Sequence, residues 1–135
     1  MDYKQGCEDV ACHNEMHIFH AMMAATEADA TVIAVGLNLM YEAEDLDRSD
    51  FSLPGYQEKL IQQVSYVAKG PVILVVFSSG TVDITKFLNY TSNDYNSDYV
   101  DAIIWAGYPG QEGGQAIADV VYGAYNPGNQ TSAKF

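Results

Sequence analysis

An α/β fold, with a mostly parallel sheet flanked by helices, is predicted by two features of the 135-residue chain. Three apolar runs rich in Val and Ile, Ala30 to Gly36, Val72 to Phe77 and Val100 to Trp105, are evenly spread and lack strict polar alternation. That is the pattern of parallel strands covered on both faces. Stretches with helical spacing lie between them, and such alternation implies right-handed crossovers and a parallel sheet.

Taken in chain order, Asn14 to Ala28 carries Met16, Phe19, His20, Met23 and Ala24 at helical spacing and leads into the first strand. Tyr56 to Ala68 carries Leu60, Ile61, Val64 and Val67 at i, i+4 and i+7 intervals. Pro54-Gly55 punctuates its start and Gly70-Pro71 blocks its continuation into the second strand. A short helix is expected before the third strand. Residues 89 to 99 are polar and aperiodic, and they read as a surface loop. Gln115 to Tyr122 reads as a last helix with Gly123 past its end. Three strands make a thin sheet, so residues 1–135 are expected to form a single, incomplete domain rather than a self-sufficient module.

Composition narrows the function. Six basic residues stand against eighteen acidic ones, a formal charge of −12. Such a surface repels nucleic acid, whose binding depends on Lys and Arg contacts to phosphate. It likewise disfavours anionic membranes and heavily phosphorylated ligands, and it suits neutral partners, although acidity for solubility alone accounts for it equally well. No window is apolar enough to span a bilayer, and the first residues have no hydrophobic core of a signal peptide. Cys7 and Cys12 can form a local disulfide if the segment turns, with two buried free thiols as the alternative. Asn89-Tyr90-Thr91 and Asn129-Gln130-Thr131 are glycosylation sequons.

The segment Tyr41-Glu42-Ala43-Glu44-Asp45-Leu46-Asp47-Arg48 leaves the carboxyl end of the first strand, the edge where ligand chemistry gathers in open α/β sheets. A glycosidase needs two carboxyl groups, one as acid/base and one as nucleophile or water activator. Glu42 and Glu44 alternate, so in an extended loop they point the same way. Either can serve as proton donor if partial burial raises its pKa. Asp45, Asp47 and Asp50 exceed what one acid/base pair uses, and Arg48 is expected to pair with one of them and hold the loop. A solvated acidic loop is the competing reading. A calcium loop is excluded, since the mid-loop glycine and closing glutamate are missing.

Other constellations are weaker. Trp105-Ala106-Gly107-Tyr108-Pro109-Gly110 joins a strand to a helix, but it lacks the spacing and the Lys-Ser/Thr of phosphate loops. It reads as a tight turn that brings Trp105 and Tyr108 near the edge, where aromatic faces can stack on a sugar. His13, His17 and His20 share a helix face, yet they lie away from the strand ends, and no metal is expected there. Ser78-Ser79-Gly80 falls short of a nucleophile elbow and reads as a turn.

Together these motifs resemble the C-terminal α/β sandwich domain of family 3 glycoside hydrolases, in particular the plant β-D-xylosidase / α-L-arabinofuranosidase branch. The matching segments are Gly6-Cys7 with Val10-Ala11-Cys12, Ala28-Asp29-Ala30, Val35-Gly36-Leu37, Glu42-Ala43-Glu44 with Asp47-Arg48, and Leu53-Pro54-Gly55. Further on stand Gly70-Pro71-Val72, Ser78-x-Gly80 with Val82-Asp83, Gly107-Tyr108-Pro109-Gly110-Gln111, and Ala116-Ile117-Ala118-Asp119-Val120 through to Asn126-Pro127-Gly128. The chain departs from the family pattern where Asn38-Leu39-Met40-Tyr41 replaces Asp-Gln-Ser-Ile and where Asp45 replaces Gly.

The resemblance implies part of a retaining exo-glycosidase that removes terminal β-1,4-xylosyl, and also α-L-arabinofuranosyl, residues in xylan breakdown. Its partner would be a xylo-oligosaccharide or arabinoxylan-type carbohydrate, its setting extracellular or the cell wall, and no cofactor is implied. The nucleophilic aspartate would lie on an N-terminal barrel domain that residues 1–135 do not contain, leaving the isolated chain inactive. The acid/base would be Glu42 first, Glu44 second. Tyr41, Trp105 and Tyr108 would contact sugar, and Asp47 and Arg48 would be structural. A non-catalytic carbohydrate-binding or interaction remnant of the same fold is the alternative.

Overall fold

The computed structural model describes residues 1–45, 48–88 and 100–127. Helix α1 (Ile18–Glu27) precedes strand β1 (Thr31–Gly36), helix α2 (Gln57–Val67) and strand β2 (Val72–Phe77). A single 3-10 turn, Thr85–Phe87, strand β3 (Ala102–Trp105) and helix α3 (Gly113–Val121) follow. The sheet order is β1-β2-β3, and both pairings are parallel. Register is pinned by Ile33 opposite Leu74 and Leu74 opposite Ile103, so these three side chains share one face.

On that face sits the core. Ile33, Val35, Val72, Leu74 and Val76 pack against Ile18 and Ala25 of α1, Leu60, Ile61 and Val64 of α2, and Phe87 of the 3-10 turn. Each large side chain buried there contributes roughly 1.5–3 kcal/mol. β-Branched residues dominate the strands because their restricted χ1 suits a pleated surface. Two sequence expectations change here. Only β2 is buried on both faces, through Val75 as well as Val72, Leu74 and Val76. In β1, Val32 and Ala34 alternate outward and remain exposed, because α1 and α2 cover only the Ile33 side.

The second change concerns α1. The residues it turns inward are Ile18, Ala21, Met22 and Ala25, while Met16, Phe19 and Met23 are exposed. Two apolar stripes overlap on this helix, and the one nearer α2 is buried.

Cys7 and Cys12 form a disulfide, with Cα atoms 5.0 Å apart. The loop it closes lies against the start of α2, where the Tyr56 N–H donates to the Cys12 carbonyl (2.9 Å). The loop expected at residues 89–99, the two sequons and Asp47 lie outside the described residues. Among the described residues, no helix is long and apolar enough to cross a membrane.

Because the strands are parallel and in register, Gly36, Phe77 and Trp105 all end at one edge. Three loops leave from it, and the candidate site is built from them.

Candidate active site at the carboxyl edge of the sheet

The segment after β1 does not run extended. Leu37 is buried and its N–H donates to the Phe77 carbonyl (2.7 Å). The Asn38 carbonyl then accepts from both Tyr41 and Glu42 N–H groups, at 2.9 and 3.0 Å, which closes a turn. Asp45 follows with φ 66°, in the left-handed region. Aspartate tolerates that region better than most residues, which explains how it stands where the family pattern has glycine. The turn ends at Glu42, and both Glu42 and Glu44 line the cleft beyond it.

Glu42 points into the protein edge, and its side chain is only 9% accessible. Its Oε2 accepts from the Ser79 N–H (2.8 Å), the Ser79 hydroxyl (3.1 Å) and the Tyr108 hydroxyl (2.8 Å). Its Oε1 accepts from the Gly80 N–H (3.1 Å) and from Arg48 Nη1 (3.3 Å). A Cβ at position 80 would sit 2.9 Å from that oxygen, so glycine there leaves room for the carboxylate to approach. Arg48 also donates to the Thr81 and Ser52 carbonyls, at 3.1 and 3.0 Å. One carboxylate thus ties together the loops after all three strands.

The electrostatics follow from these contacts. Burial pushes the Glu42 pKa up, but hydrogen bonds from Ser79, Tyr108 and Gly80 outweigh it and hold the carboxyl below its ordinary value. Burial, together with the Glu42 hydrogen bond and charge, pushes the Tyr108 phenol up to about 12. The ionised carboxylate and the protonated phenol stabilise each other.

Glu44 is exposed and has no hydrogen-bond partner among the described residues. It shares an open cleft of ≈ 500 Å³ with Glu42, Arg48, Ser79, Tyr108 and the apolar side chains of Leu39 and Phe51.

The expected residues therefore divide. Arg48 and Tyr108 converge on Glu42, and among the described residues Arg48 pairs with that glutamate rather than with Asp45 or Asp50. Trp105 does not line the cleft; its indole N–H donates to the Ser78 carbonyl (3.0 Å) and hydroxyl (3.1 Å), and the residue remains 59% exposed. Tyr41 is half-buried and does not line the cleft either. No three His, Cys, Asp or Glu side chains among the described residues come together as a metal site.

Two contributors escaped the sequence pattern. Ser79 and Gly80 read as a plain turn, yet they donate three of the five bonds to Glu42. Gln57 is 3% exposed, and its side-chain amide bonds the Gly36 backbone. Its signal was present: a polar residue at the first position of the α2 stripe Gln57, Leu60, Ile61, Val64.

The model of the glycosyl hydrolase family 3 C-terminal domain matches residues 5–135. The chain belongs to that family. Among relatives, the family 3 domain is 49% identical over 125 residues to a β-xylosidase/α-L-arabinofuranosidase of Medicago sativa subsp. varia, covering 93% of the chain and 15% of that protein. It is 48% identical over 128 residues to β-D-xylosidase 1 of Arabidopsis thaliana, covering 95% and 16%. Among solved structures, a family 3 exo-β-xylosidase bound to a xylobiose aziridine probe superposes with a TM-score of 0.77 at 34% identity, covering 90% of this chain and 15% of that one. A β-glucosidase of Kluyveromyces marxianus in complex with glucose gives 0.67 at 31%, covering 82% and 12%. The family 3 domain thus spans about a sixth of the length of the relatives it matches.

Proposed function

We propose that this chain is the part of a retaining β-xylosidase that supplies the acid/base carboxylate, and that Glu44 is that carboxylate. The observation that carries the reading is the unequal treatment of two glutamates on one cleft. Glu42 accepts five hydrogen bonds and is held ionised, which makes it a brace and a poor proton donor. Glu44 faces the same cleft unencumbered among the described residues.

In this reading Glu44 gives its proton to the glycosidic oxygen as the bond to the anomeric carbon breaks. A second carboxylate, on a barrel domain outside residues 1–135, takes the anomeric carbon. Glu44 then removes a proton from the water that releases the sugar. Tyr108 lines the cleft and is partly exposed, so its ring can border a sugar. The similarity to proteins named xylosidase and arabinofuranosidase supports terminal xylosyl, and also arabinofuranosyl, units as substrate. The Cys7–Cys12 disulfide supports an extracellular setting.

The test is a chimera in which residues 5–135 replace the matched segment of the Medicago relative. Release of xylose from xylobiose is expected, and Glu44→Gln should lower it by about 10²–10⁴-fold, the usual contribution of general acid/base catalysis. A chimera that binds xylobiose without cleaving it would favour a carbohydrate-binding remnant instead.

A further inference from the structure

We propose that Gln57 is a positioning residue for the loop that carries Glu42 and Glu44; this rests on the acid/base reading above. Gln57 opens α2, yet its side chain is turned toward the open edge of β1 and is almost wholly buried. Its Oε1 accepts from the Gly36 N–H (2.7 Å), and its Nε2 donates to the Gly36 carbonyl (2.9 Å). The amide therefore pairs with the last residue of β1 as a neighbouring strand would, on the side that β2 leaves open. Its second N–H goes to the Val10 carbonyl (2.6 Å), inside the loop closed by Cys7 and Cys12.

Gly36 is where such a hold matters. Its φ of 152° is denied to L side chains, and a Cβ there would lie 2.1 Å from the Phe77 carbonyl oxygen. With β2 on one side and Gln57 on the other, the strand end cannot shift along or away from the sheet. Beyond it the path to the site is short and taut: Leu37 is buried, and the Asn38 carbonyl takes the Glu42 N–H. Any displacement of Gly36 is passed through the turn at Asn38 to Glu42, and along the chain to Glu44 two residues on. Three satisfied hydrogen bonds on a buried amide make this a stiff linkage, because loss of any one leaves a desolvated polar group without a partner. Through Val10, the disulfide loop is the far anchor of the same linkage.

A residue that acts only by placing a proton donor has a kinetic mark. Its loss should hurt substrates whose leaving group needs protonation and spare those whose leaving group departs as an anion. In the chimera, Gln57→Leu is expected to lower kcat/KM, which reports the first step, on xylobiose by roughly 10–100-fold and on 2,4-dinitrophenyl xyloside by less than about threefold. Gln57→Met keeps the length of the side chain, adds no charge and loses all three bonds, so the same selectivity is expected. It carries the test if the leucine variant does not fold. Equal losses on both substrates, or no loss on either, would overturn the proposal. Glu44→Gln measured alongside separates the two levels: if it shows no leaving-group selectivity, the acid/base reading itself fails. In the chimera, amide hydrogen exchange at Gly36 and Glu42 should quicken by about tenfold or more in Gln57→Leu. Unchanged exchange there would overturn the proposal whatever the kinetics show.

Discussion

The cleft at the carboxyl edge and the cleft between the amino-terminal segment and α1 have similar volumes, ≈ 500 and ≈ 460 Å³. Both are lined by titratable side chains. The second has Asp2, Lys4, His17, His20 and Glu27, a richer set of acids and bases than the first. They differ in convergence. Around α1, the one ion pair among these residues is Lys4 with Asp2, at 3.3 Å and largely exposed to water, and such pairs are worth little. At the sheet edge, one carboxylate gathers donors from three loops, two of them backbone N–H groups. Residue types and a cavity mark a surface; a shared, desolvated network marks a place where the chain has been arranged around a charge.

Substitutions at the two clefts test this contrast. The largest effects are the rate losses already stated for Glu44→Gln and Gln57→Leu. Next comes Glu42→Gln, which removes a nearly buried charge from its donors and should destabilise the chain by about 2 kcal/mol at pH 7. The sign of its pH dependence is fixed by the depressed pKa of Glu42. A carboxyl held below its unfolded value stabilises the fold above that value, and the contribution is lost as pH falls through the lower, folded one. The difference in thermal midpoint between wild type and Glu42→Gln should therefore be full at pH 7 and shrink below the ordinary value of 4.5. A difference that grows on acidification would remove Glu42 from the role of brace.

Smaller again is Tyr108→Phe, expected to cost about 1 kcal/mol for one partly exposed hydrogen bond to a carboxylate. Since the phenol is raised to about 12, its contribution should hold below pH 10 and fade as pH climbs through the folded value. The smallest effect belongs to the other cleft: His17→Ala with His20→Ala should leave chimera turnover unchanged and shift stability by less than about 0.5 kcal/mol per site. A loss of turnover there would erase the contrast between the two regions.

Much of the architecture was legible in the residues. Runs such as Val72 to Phe77 are too short for helices and too β-branched for loops, and Pro54-Gly55 and Gly70-Pro71 bracket α2 as expected. The inward face of α1 was not, because Met16, Phe19 and Met23 make as good a stripe as Ile18, Met22 and Ala25. Tertiary packing decides between such stripes, and periodicity alone cannot. The one-sided cover of β1 escaped for a similar reason: a continuous apolar run does not tell which face finds a partner. In the site, the acidic segment was visible as chemistry. The division between Glu42 and Glu44 was not, since it depends on Ser79 and Gly80, 37 and 38 residues away, and on Tyr108, 66 away.

The division of labour between these two carboxylates is tested most directly by measuring thermal midpoint and xylobiose turnover together for Glu42→Gln and Glu44→Gln in the chimera. Glu44→Gln is expected to keep the wild-type midpoint and lose turnover on xylobiose by at least about 10²-fold, and Glu42→Gln to lower the midpoint. A Glu44→Gln protein that turns over normally, or a Glu42→Gln protein that melts like wild type while losing turnover, would contradict that division.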